Sequence, residues 1–566
     1  MADSLLTARE RRPRVPFHGA LGGVPSSPPA VPVQVHRLPD LALGLVAFLG
    51  GVGLSLFYGR IGYHPVDHSI VFDGAWRLLC GQVPFRDYHT PSGVTPIVMQ
   101  AAFFETLGVT WLAYCLHAAI VNGLFAVCAY VLVRLLRGAP WHALLAAAGS
   151  AIALYPPQGA PFMDEHAFFF SLLAIVLAVR GARSHGRGSA IAWALCPAAL
   201  ALGYLSKQIP TVFAVPIVGI LLVGHAVERR RAAASVLLGA VVTIAALGVA
   251  AAVLHVDPRR FHADYDVRPL AIGESRAAAD HGPGLLLGHV SRVIHESNQW
   301  SFAPHPRRDR VARGAPRRRT LGRGAALRAF RSLPAFLAAS FGLVCVAFTA
   351  LTNTDVAEGV PLLYLALVLA FLAATELAPG RPARIAGVLL LAVGLRDAAV
   401  FDRSVNATRA AVGRHLSGDG TPAGLPPALS FMRYRVPSEY RRASAQALGE
   451  VVRFFDENPG NFMLVGDDLI LYGLTGRPSV GNSLWFHPGL TAPSTRSPEY
   501  ASYLDELSAR LARYDVRWVV LEGKRTWMEA SVADLPPVAG LLASRHAKEL
   551  SIGPFTIVEV GPGAAR

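Results

Sequence analysis

Charged residues are scarce in this chain of 566 amino acids, and lysine is nearly absent. Only 16% of the residues are charged, against about 25% in an average soluble domain. Hydrophobic residues make up 52%, and the mean hydropathy is +0.39. These values exclude a single large soluble enzyme and also a disordered chain. They predict a protein that crosses a membrane several times.

Cysteine is also scarce, and its positions exclude two classes of small domain. There are five cysteines, an odd number, and no two have the spacing of a CxxC motif. The sequence therefore has neither a disulfide framework nor a zinc-finger pattern. Four of the five lie in apolar runs or at their edges, where we expect them to pack as small hydrophobic side chains.

The chain is nevertheless basic, with a net charge of +15. Its arginines lie between long apolar runs, whereas a nucleic-acid-binding domain spreads basic residues over a polar face. We therefore expect no nucleic-acid partner. The basic loops instead indicate the cytoplasmic side of a membrane protein, because such loops carry an excess of Lys and Arg.

The apolar runs predict a transmembrane domain over residues 41–400, after a disordered basic cytoplasmic tail at 1–40. The tail has no apolar stretch and is not a signal peptide. A spanning helix needs about 20 apolar residues. The segment at 94–107 is apolar as well, but the distribution of arginines favours a helix that lies at the membrane surface. The ten predicted spans are 41–59, 111–133, 141–157, 166–180, 188–205, 209–227, 232–254, 334–351, 359–377 and 385–400.

A long Arg-rich loop at 255–333 complicates the topology. Ten arginines face one aspartate between Arg307 and Arg331, and such a block favours the cytoplasm. One extra crossing between about residues 265 and 306 would place it there, for 10–11 transmembrane helices in total. Without that crossing, the carboxy-terminal domain would be cytoplasmic.

Residues 401–566 have the pattern of a soluble α/β domain, which we expect outside the cytoplasm. Apolar runs shorten to strand length at 462–465, 518–521 and 555–560. Helical periodicity appears at 443–456 and 500–514. The fold class is thus an all-α polytopic membrane domain with an appended α/β domain.

The first outer loop, residues 60–110, contains the first group of candidate residues. Small and apolar residues from Ile70 to Leu79 follow the spacing of an amphipathic helix, which we expect to lie along the membrane surface. Asp67 precedes this stripe by one turn on the same face, so its carboxylate points toward the membrane boundary. The alternative is that Asp67 only caps the helix.

Two further groups lie at the predicted outer ends of other spans. Asp164 and Glu165 open one of them, and a charged cluster there is costly unless it is hydrated, paired or metal-bound. They could bind substrate, and Asp164 could ligate a divalent cation, although capping would also explain them. Lys207, followed by Gln208, could bind a lipid phosphate as a point charge or reach toward the lipid headgroups.

Together these residues resemble the GT-C membrane glycosyltransferases, the broad group of protein mannosyltransferase-like and aminoarabinose transferase-like enzymes. The likeness is carried by Asp67-x5-Asp73-Gly-Ala-x-Arg-Leu-Leu-x-Gly-x-Val-Pro-Phe-Arg86-Asp87-Tyr88 and by Thr90-Pro91-Ser92-Gly93. It continues in Asp164-Glu165 and Leu205-Ser206-Lys207-Gln208. It covers about residues 41–210 well and the remainder by architecture.

The resemblance implies a catalytic base, a donor and a location. Asp67 would match the catalytic aspartate, although His68 stands where many members have Glu. His89 stands near the position of a family lysine, and Arg86 and Gln208 are further candidate substrate contacts. The donor would be a polyprenyl-phosphate sugar. The acceptor would be a lipid, glycan or protein outside the bacterial cytoplasmic (inner) membrane, in the cell envelope. The resemblance implies inversion at the anomeric carbon.

Two other functions fit parts of the pattern. A transporter or flippase for a lipid-linked sugar would place ionisable residues near the membrane midplane, whereas these acids lie at span ends. A non-catalytic envelope assembly protein would use Asp467, Asp468 and Tyr472 as interface residues. No cofactor other than a divalent metal ion at Asp164 is indicated.

Overall fold

The computed structural model shows a helical bundle joined to a small mixed sheet. It describes residues 37–60, 67–91, 93–155, 159–225, 229–271, 333–345, 365–366, 368–373, 424–433, 443–523, 532–543 and 548–560. Outside these ranges lie residues 1–36 of the predicted tail, most of the region 265–306 proposed for the extra crossing, the Arg307–Arg331 block and the span at 385–400. Residues 37–40, which the sequence assigned to the tail, belong to the first helix.

Most of the predicted apolar runs in the described ranges form helices. Within the described residues, four helices are long and apolar enough to cross a membrane: Leu38–Gly59, Trp111–Leu135, Met163–Arg183 and Arg229–Val253. This confirms the predicted fold class of a helical membrane domain. The helices of this part are α1 (Arg37–Gly59), α2 (Asp67–Leu79), α3 (Val94–Leu107), α4 (Trp111–Leu135), α5 (Pro140–Ala153), α6 (Met163–Arg183), α7 (Gly186–Tyr204), α8 (Gln208–Gly224), α9 (Arg229–Val253), α10 (Pro258–Phe261) and α11 (Leu333–Cys345).

The bundle is centred on α4 and α6, whose side chains are mostly buried. Helix α1 packs closely on α4 because both present glycine: a Cβ added to Gly51 would lie 3.0 Å from the Cα of Gly123. Asn122 donates to the carbonyls of Gly51 and Ala151 at 2.9 and 3.1 Å, which ties α1, α4 and the end of α5 together. Helices α1 and α9 expose most of their apolar side chains, as helices facing lipid do.

The carboxy-terminal domain contains a four-stranded sheet of order β1-β2-β4-β3. Strands β1 and β2 are parallel and the other pairs are antiparallel. Each of the three predicted strands begins and ends within two residues of an observed one. The elements of this domain are α12 (Ala445–Glu457), β1 (Asn461–Val465), α13 (Ile470–Thr475), α14 (Glu499–Arg513), β2 (Val516–Glu522), α15 (Pro536–Ala543), β3 (Glu549–Ile552) and β4 (Phe555–Glu559).

Helix α2 is enclosed between the bundle and the carboxy-terminal domain. Its apolar side packs on α3, where a Cβ added to Gly74 would lie 2.8 Å from Ile97. Its polar side meets the other domain: Ser69 Oγ donates to the Asp467 carbonyl at 3.0 Å, and Trp76 Nε1 donates to the Arg477 carbonyl at 2.8 Å. The polar face of this amphipathic helix is therefore covered by protein.

A buried ion pair lies at the centre of this contact. Arg77 Nε donates to Asp73 Oδ2 at 2.7 Å, and both side chains are almost completely buried. Arg77 also donates to the Gly481 carbonyl at 2.7 Å, while Ser479 Oγ donates to Asp73 at 2.5 Å. Burial raises the pKa of the Asp73 carboxyl, with Arg77 opposing that effect. The pair is therefore stable only while both partners and the docked domain are present.

We expect Arg77→Met to weaken the full chain markedly, because it leaves the buried Asp73 carboxylate without the cation that is hydrogen-bonded to it. The loss of unfolding free energy should be about 3–5 kcal/mol, measured by thermal unfolding of the purified protein in detergent. The control is Arg517→Met, which removes the half-exposed pair with Glu559 and should cost less than about 1 kcal/mol. Equal losses in the two variants would show that the Asp73–Arg77 pair does not stabilise the contact.

Candidate functional site

Asp164 and Lys207 form a close ion pair at the ends of two helices. Asp164 lies in the first turn of α6, and Lys207 immediately precedes α8. Lys207 Nζ is 2.6 Å from Asp164 Oδ1, with the carboxylate side chain 9% exposed and the lysine 38% exposed. The second carboxylate oxygen, Oδ2, is buried and has no hydrogen-bond partner among the described residues. The pair thus combines an accessible cation with an unused acceptor.

A close backbone contact brings the turn before α3 against the turn that holds Lys207. A Cβ added to Gly93 would lie 2.0 Å from the Ser206 carbonyl oxygen, so only glycine fits there. Thr95 then donates its backbone N–H to the Leu205 carbonyl at 3.2 Å and its hydroxyl to the Leu202 carbonyl at 3.0 Å. Two motifs that are far apart in sequence are therefore adjacent in space.

Asp67 is the first residue of α2 and is partly exposed. Its charge acts electrostatically on Tyr114 of α4, whose hydroxyl donates to the Pro161 carbonyl at 3.4 Å. Pro161 precedes Asp164 by three residues. Asp67 thus lies within electrostatic reach of Tyr114, and its role as a base stays a prediction.

His89 lies between two carboxylates from distant parts of the chain. Its Nδ1 is 2.8 Å from Asp264 Oδ2, and its Nε2 is 3.5 Å from Glu506 Oε2 of α14. Arg260 donates to both oxygens of Glu506, at 3.2 and 3.0 Å, and Arg268 pairs with Asp264. His89 thus joins the first outer loop, the segment after α9 and the carboxy-terminal domain.

The segment 257–268 covers the turn that contains Lys207. Gln208 Nε2 donates to the Tyr265 carbonyl, and Tyr204 Oη donates to Asp266 Oδ1 at 2.6 Å. Tyr265 Oη in turn donates to the Tyr204 carbonyl. The ring of Tyr265 also packs against Phe261, with ring centroids 5.2 Å apart. Gln208 is therefore used to hold this segment, and its predicted substrate contact stays a prediction.

The other two candidate residues have different surroundings. Arg86 donates to Asp87 Oδ2 at 2.6 Å, to the Gly81 carbonyl at 2.8 Å and to the Leu254 carbonyl at 3.2 Å. Its guanidinium thus connects the first outer loop to the end of α9. Glu165 is buried beside Asp164 in the first turn of α6.

The described residues do not form a metal centre. No three of their His, Cys, Asp or Glu side chains converge closely enough to hold an ion. At Asp164 the lysine ammonium occupies the position beside Oδ1 that a cation would take. The divalent ion that the sequence suggested at Asp164 therefore has no ligand set in this part of the chain.

Three residues of this region were not anticipated from the sequence. Asp264 and Glu506 are the partners of His89, and Arg260 pairs with Glu506. They lie in a long loop and in the carboxy-terminal domain, where charged residues are ordinary. Their spacing has no motif. Of this group, only His89 could be noticed in the sequence, because it is a titratable residue within the first-loop motif.

Comparison with known proteins finds a structural match but no sequence match. No protein-family model matches the chain, and no curated protein matches it. The crystal structure of ArnT from Cupriavidus metallidurans in the apo state matches over 94% of this chain and 98% of that chain. The identity is 13% and the TM-score is 0.43. The fold is therefore defined by the helices and strands of this chain alone.

The contacts of His89 predict a pH-dependent stability. Burial disfavours its charged form, but hydrogen bonds to Asp264 and Glu506 outweigh this and raise the pKa of His89 above its usual value of 6.5. Burial likewise opposes ionisation of Glu506, but His89 and Arg260 lower the pKa of that carboxyl below 4.5. The stabilisation is lost as pH rises through the His89 pKa, and also as pH falls through that of Glu506.

We therefore expect the difference in unfolding temperature between the wild type and His89→Gln to be largest near pH 5–6 and to shrink toward pH 9, by a few degrees. Thermal unfolding across this pH range in detergent measures it. His262→Gln, which removes an exposed histidine paired with Asp266, is the control. A difference for His89→Gln that does not change with pH would contradict the assignment.

Proposed function

We propose that the chain is a GT-C-type membrane glycosyltransferase that uses a polyprenyl-phosphate sugar. The acceptor is a lipid, glycan or protein at the outer face of the cytoplasmic membrane, and Asp67 is the general base. The observation that carries the proposal is the Asp164–Lys207 pair, because it places an accessible cation beside an unused carboxylate oxygen. The first-loop motif that contains Asp67 supports the same conclusion.

Lys207 has the properties needed to bind a lipid phosphate. An ammonium has three donor hydrogens, and one of them points to Asp164. The side chain is more than one third exposed, so a phosphate can approach the ammonium from solvent. As the bond to the sugar breaks, negative charge grows on the phosphate, and a fixed cation stabilises that charge more in the transition state than in the bound donor.

The acceptor hydroxyl requires a base rather than an acid. The phosphate departs as a stabilised anion, so the leaving group needs little protonation. The attacking hydroxyl must lose its proton as it bonds to the anomeric carbon, and Asp67 would accept that proton. Attack from the face opposite the phosphate inverts the configuration at that carbon. Asp164 would bind a hydroxyl of the donor sugar, with its carboxylate held beside the ammonium of Lys207.

The depth of the ionisable residues favours an enzyme over a transporter. Asp67 begins α2, Asp164 lies in the first turn of α6 and Lys207 immediately precedes α8. All three are therefore at helix ends. A transporter for a lipid-linked sugar would use ionisable residues and interrupted helices near the membrane midplane.

Asp67→Asn should abolish sugar transfer while leaving the fold intact, because the amide keeps the shape of the carboxylate and cannot accept the proton. We expect a fall in turnover of about 10²–10⁴-fold. The full chain, in vesicles of bacterial lipids that supply hydroxyl-bearing acceptors, is given polyprenyl-phosphate hexoses and pentoses that are radiolabelled in the sugar. Transfer of the label to the acceptor is measured together with the polyprenyl phosphate released. The matched control is Asp456→Asn on the exposed side of α12. Turnover by Asp67→Asn at the wild-type rate would refute the role of Asp67.

Lys207→Gln should weaken binding of the lipid phosphate, because an uncharged amide replaces the cation. We expect an increase in Kd of about tenfold, as for loss of one charge-assisted contact. The probe is polyprenyl phosphate added to the purified full chain and followed by native mass spectrometry. Lys548→Gln, at an exposed lysine of the soluble domain, is the control. Equal affinity in the two variants would exclude Lys207 from phosphate binding.

A further inference from the structure

Three buried polar side chains lie in a row next to the first turn of α6. Gln100 of α3, His117 of α4 and His166 of α6 are each fully buried. His117 Nδ1 is 2.9 Å from Gln100 Oε1 as placed, and His117 Nε2 is 2.9 Å from His166 Nε2. His166 follows Asp164 by two residues. None of the three takes part in the chemistry proposed above.

The chemistry of the hydrogen bonds determines which ring nitrogens carry hydrogen. His166 Nδ1 is 2.7 Å from the Phe162 carbonyl oxygen, which can only accept, and 2.6 Å from Tyr155 Oη, which can accept or donate. A hydrogen on Nδ1 satisfies both contacts, whereas a bare nitrogen would be repelled by the carbonyl oxygen. In a neutral ring the Nε2 of His166 is then a bare acceptor. The facing Nε2 of His117 must therefore be the donor, because two bare nitrogens do not approach to 2.9 Å.

The same logic orients Gln100. If His117 donates from Nε2, its Nδ1 is bare in a neutral ring and must accept a hydrogen bond. Gln100 must then present its amide nitrogen, which means exchanging the positions of its nitrogen and oxygen; the two are assigned rather than seen directly. This exchange also gives a partner to the Gln100 amide nitrogen, which is otherwise buried and unbonded.

The alternative orientation would place a charge in the apolar interior. If Gln100 accepts from His117, then His117 carries hydrogen on both nitrogens and is an imidazolium. No carboxylate among the described residues is bonded to either ring. A buried charge without a partner is much more costly than a neutral hydrogen bond. The neutral arrangement, with donors running from Gln100 to His117 to His166 to the Phe162 carbonyl, is therefore favoured.

This row of bonds connects the helices that surround the acidic turn. It joins α3, α4 and α6 at the level of Asp164, and the residue before α6, Phe162, makes no side-chain cap to its first turn. Tyr155 Oη, 2.6 Å from His166 Nδ1, adds a contact from the segment after α5. The rotation of the first turn of α6 about its axis is thus restrained by His166 rather than by a cap.

We propose that Gln100, His117 and His166 form an uncharged, one-directional hydrogen-bond chain that positions the first turn of α6 and so holds Asp164 against Lys207. All three are positioning residues. That Asp164 acts on a substrate belongs to the proposed function. The positioning of Asp164 is tested without any substrate, so this proposal and the proposed function can each fail while the other holds.

The scarcity of lysine provides a direct readout, because the chain has only Lys207, Lys524 and Lys548. An amine is acylated through its nitrogen, and a nitrogen held 2.6 Å from a carboxylate oxygen is less available to an acylating ester. The full chain in nanodiscs is treated with a water-soluble acylating ester, and modification of Lys207 relative to Lys548 is measured by mass spectrometry. Asp164→Asn defines the full effect, an increase of about fivefold.

We expect His117→Phe, which leaves Asp164 itself unchanged, to produce at least half of that increase. The matched control is Leu172→Ala, which opens a cavity in α6 two turns beyond Asp164 and keeps all three members of the hydrogen-bond chain. It should leave the rate of Lys207 acylation unchanged. A Lys207 rate in His117→Phe that equals that of the wild type would overturn the proposal, as would an equal increase in Leu172→Ala.

The direction of the hydrogen-bond chain is tested on the unsubstituted protein, so that a folding defect in a variant does not decide the result. Two-bond couplings in ¹⁵N-histidine NMR spectra show which ring nitrogen carries hydrogen, and the signals are assigned by their loss in His117→Phe and His166→Phe. We expect hydrogen on Nδ1 of His166 and on Nε2 of His117. A doubly protonated ring at either position would overturn the proposal.

Discussion

The burial of α2 between the bundle and the carboxy-terminal domain is the constraint on which the rest of the structure depends. An amphipathic helix alone has one face that needs covering, but Asp73 and Arg77 make the second face equally dependent on a partner. Once both charges are buried, they must remain paired and bonded to the carbonyls of the opposing domain. The carboxy-terminal domain is therefore held at one place on the helical bundle.

This constraint also locates the candidate site. Asp67 begins the same helix that Arg77 anchors, so the position of the proposed base follows from the position of the soluble domain. On the other side, the Gly93 contact and the 257–268 segment hold Lys207. The observed part of the site thus joins the first turn of α6 to the residue before α8, and the proposed base lies at the beginning of α2.

Much of the fold could be predicted from hydrophobic patterning, because it depends on local periodicity. The strand at 462–465 and the helix at 443–456 begin within two residues of the observed elements. The ionic partners could not be predicted. His89 and Asp264 are separated by 175 residues, and no spacing rule connects them. Periodicity also shows which face of α2 is polar but not whether water or protein covers that face.

The central claim is that Lys207 binds the phosphate of the donor, while Asp67 takes the proton of the acceptor hydroxyl on the opposite side of the anomeric carbon. The most direct test is a cryo-electron microscopy structure of the full chain in nanodiscs with a polyprenyl-phosphate sugar bound. The account predicts phosphate oxygens about 3 Å from Lys207 Nζ, with the anomeric carbon on the side that faces Asp67. A donor bound elsewhere in the bundle, with its phosphate away from Lys207, would contradict it.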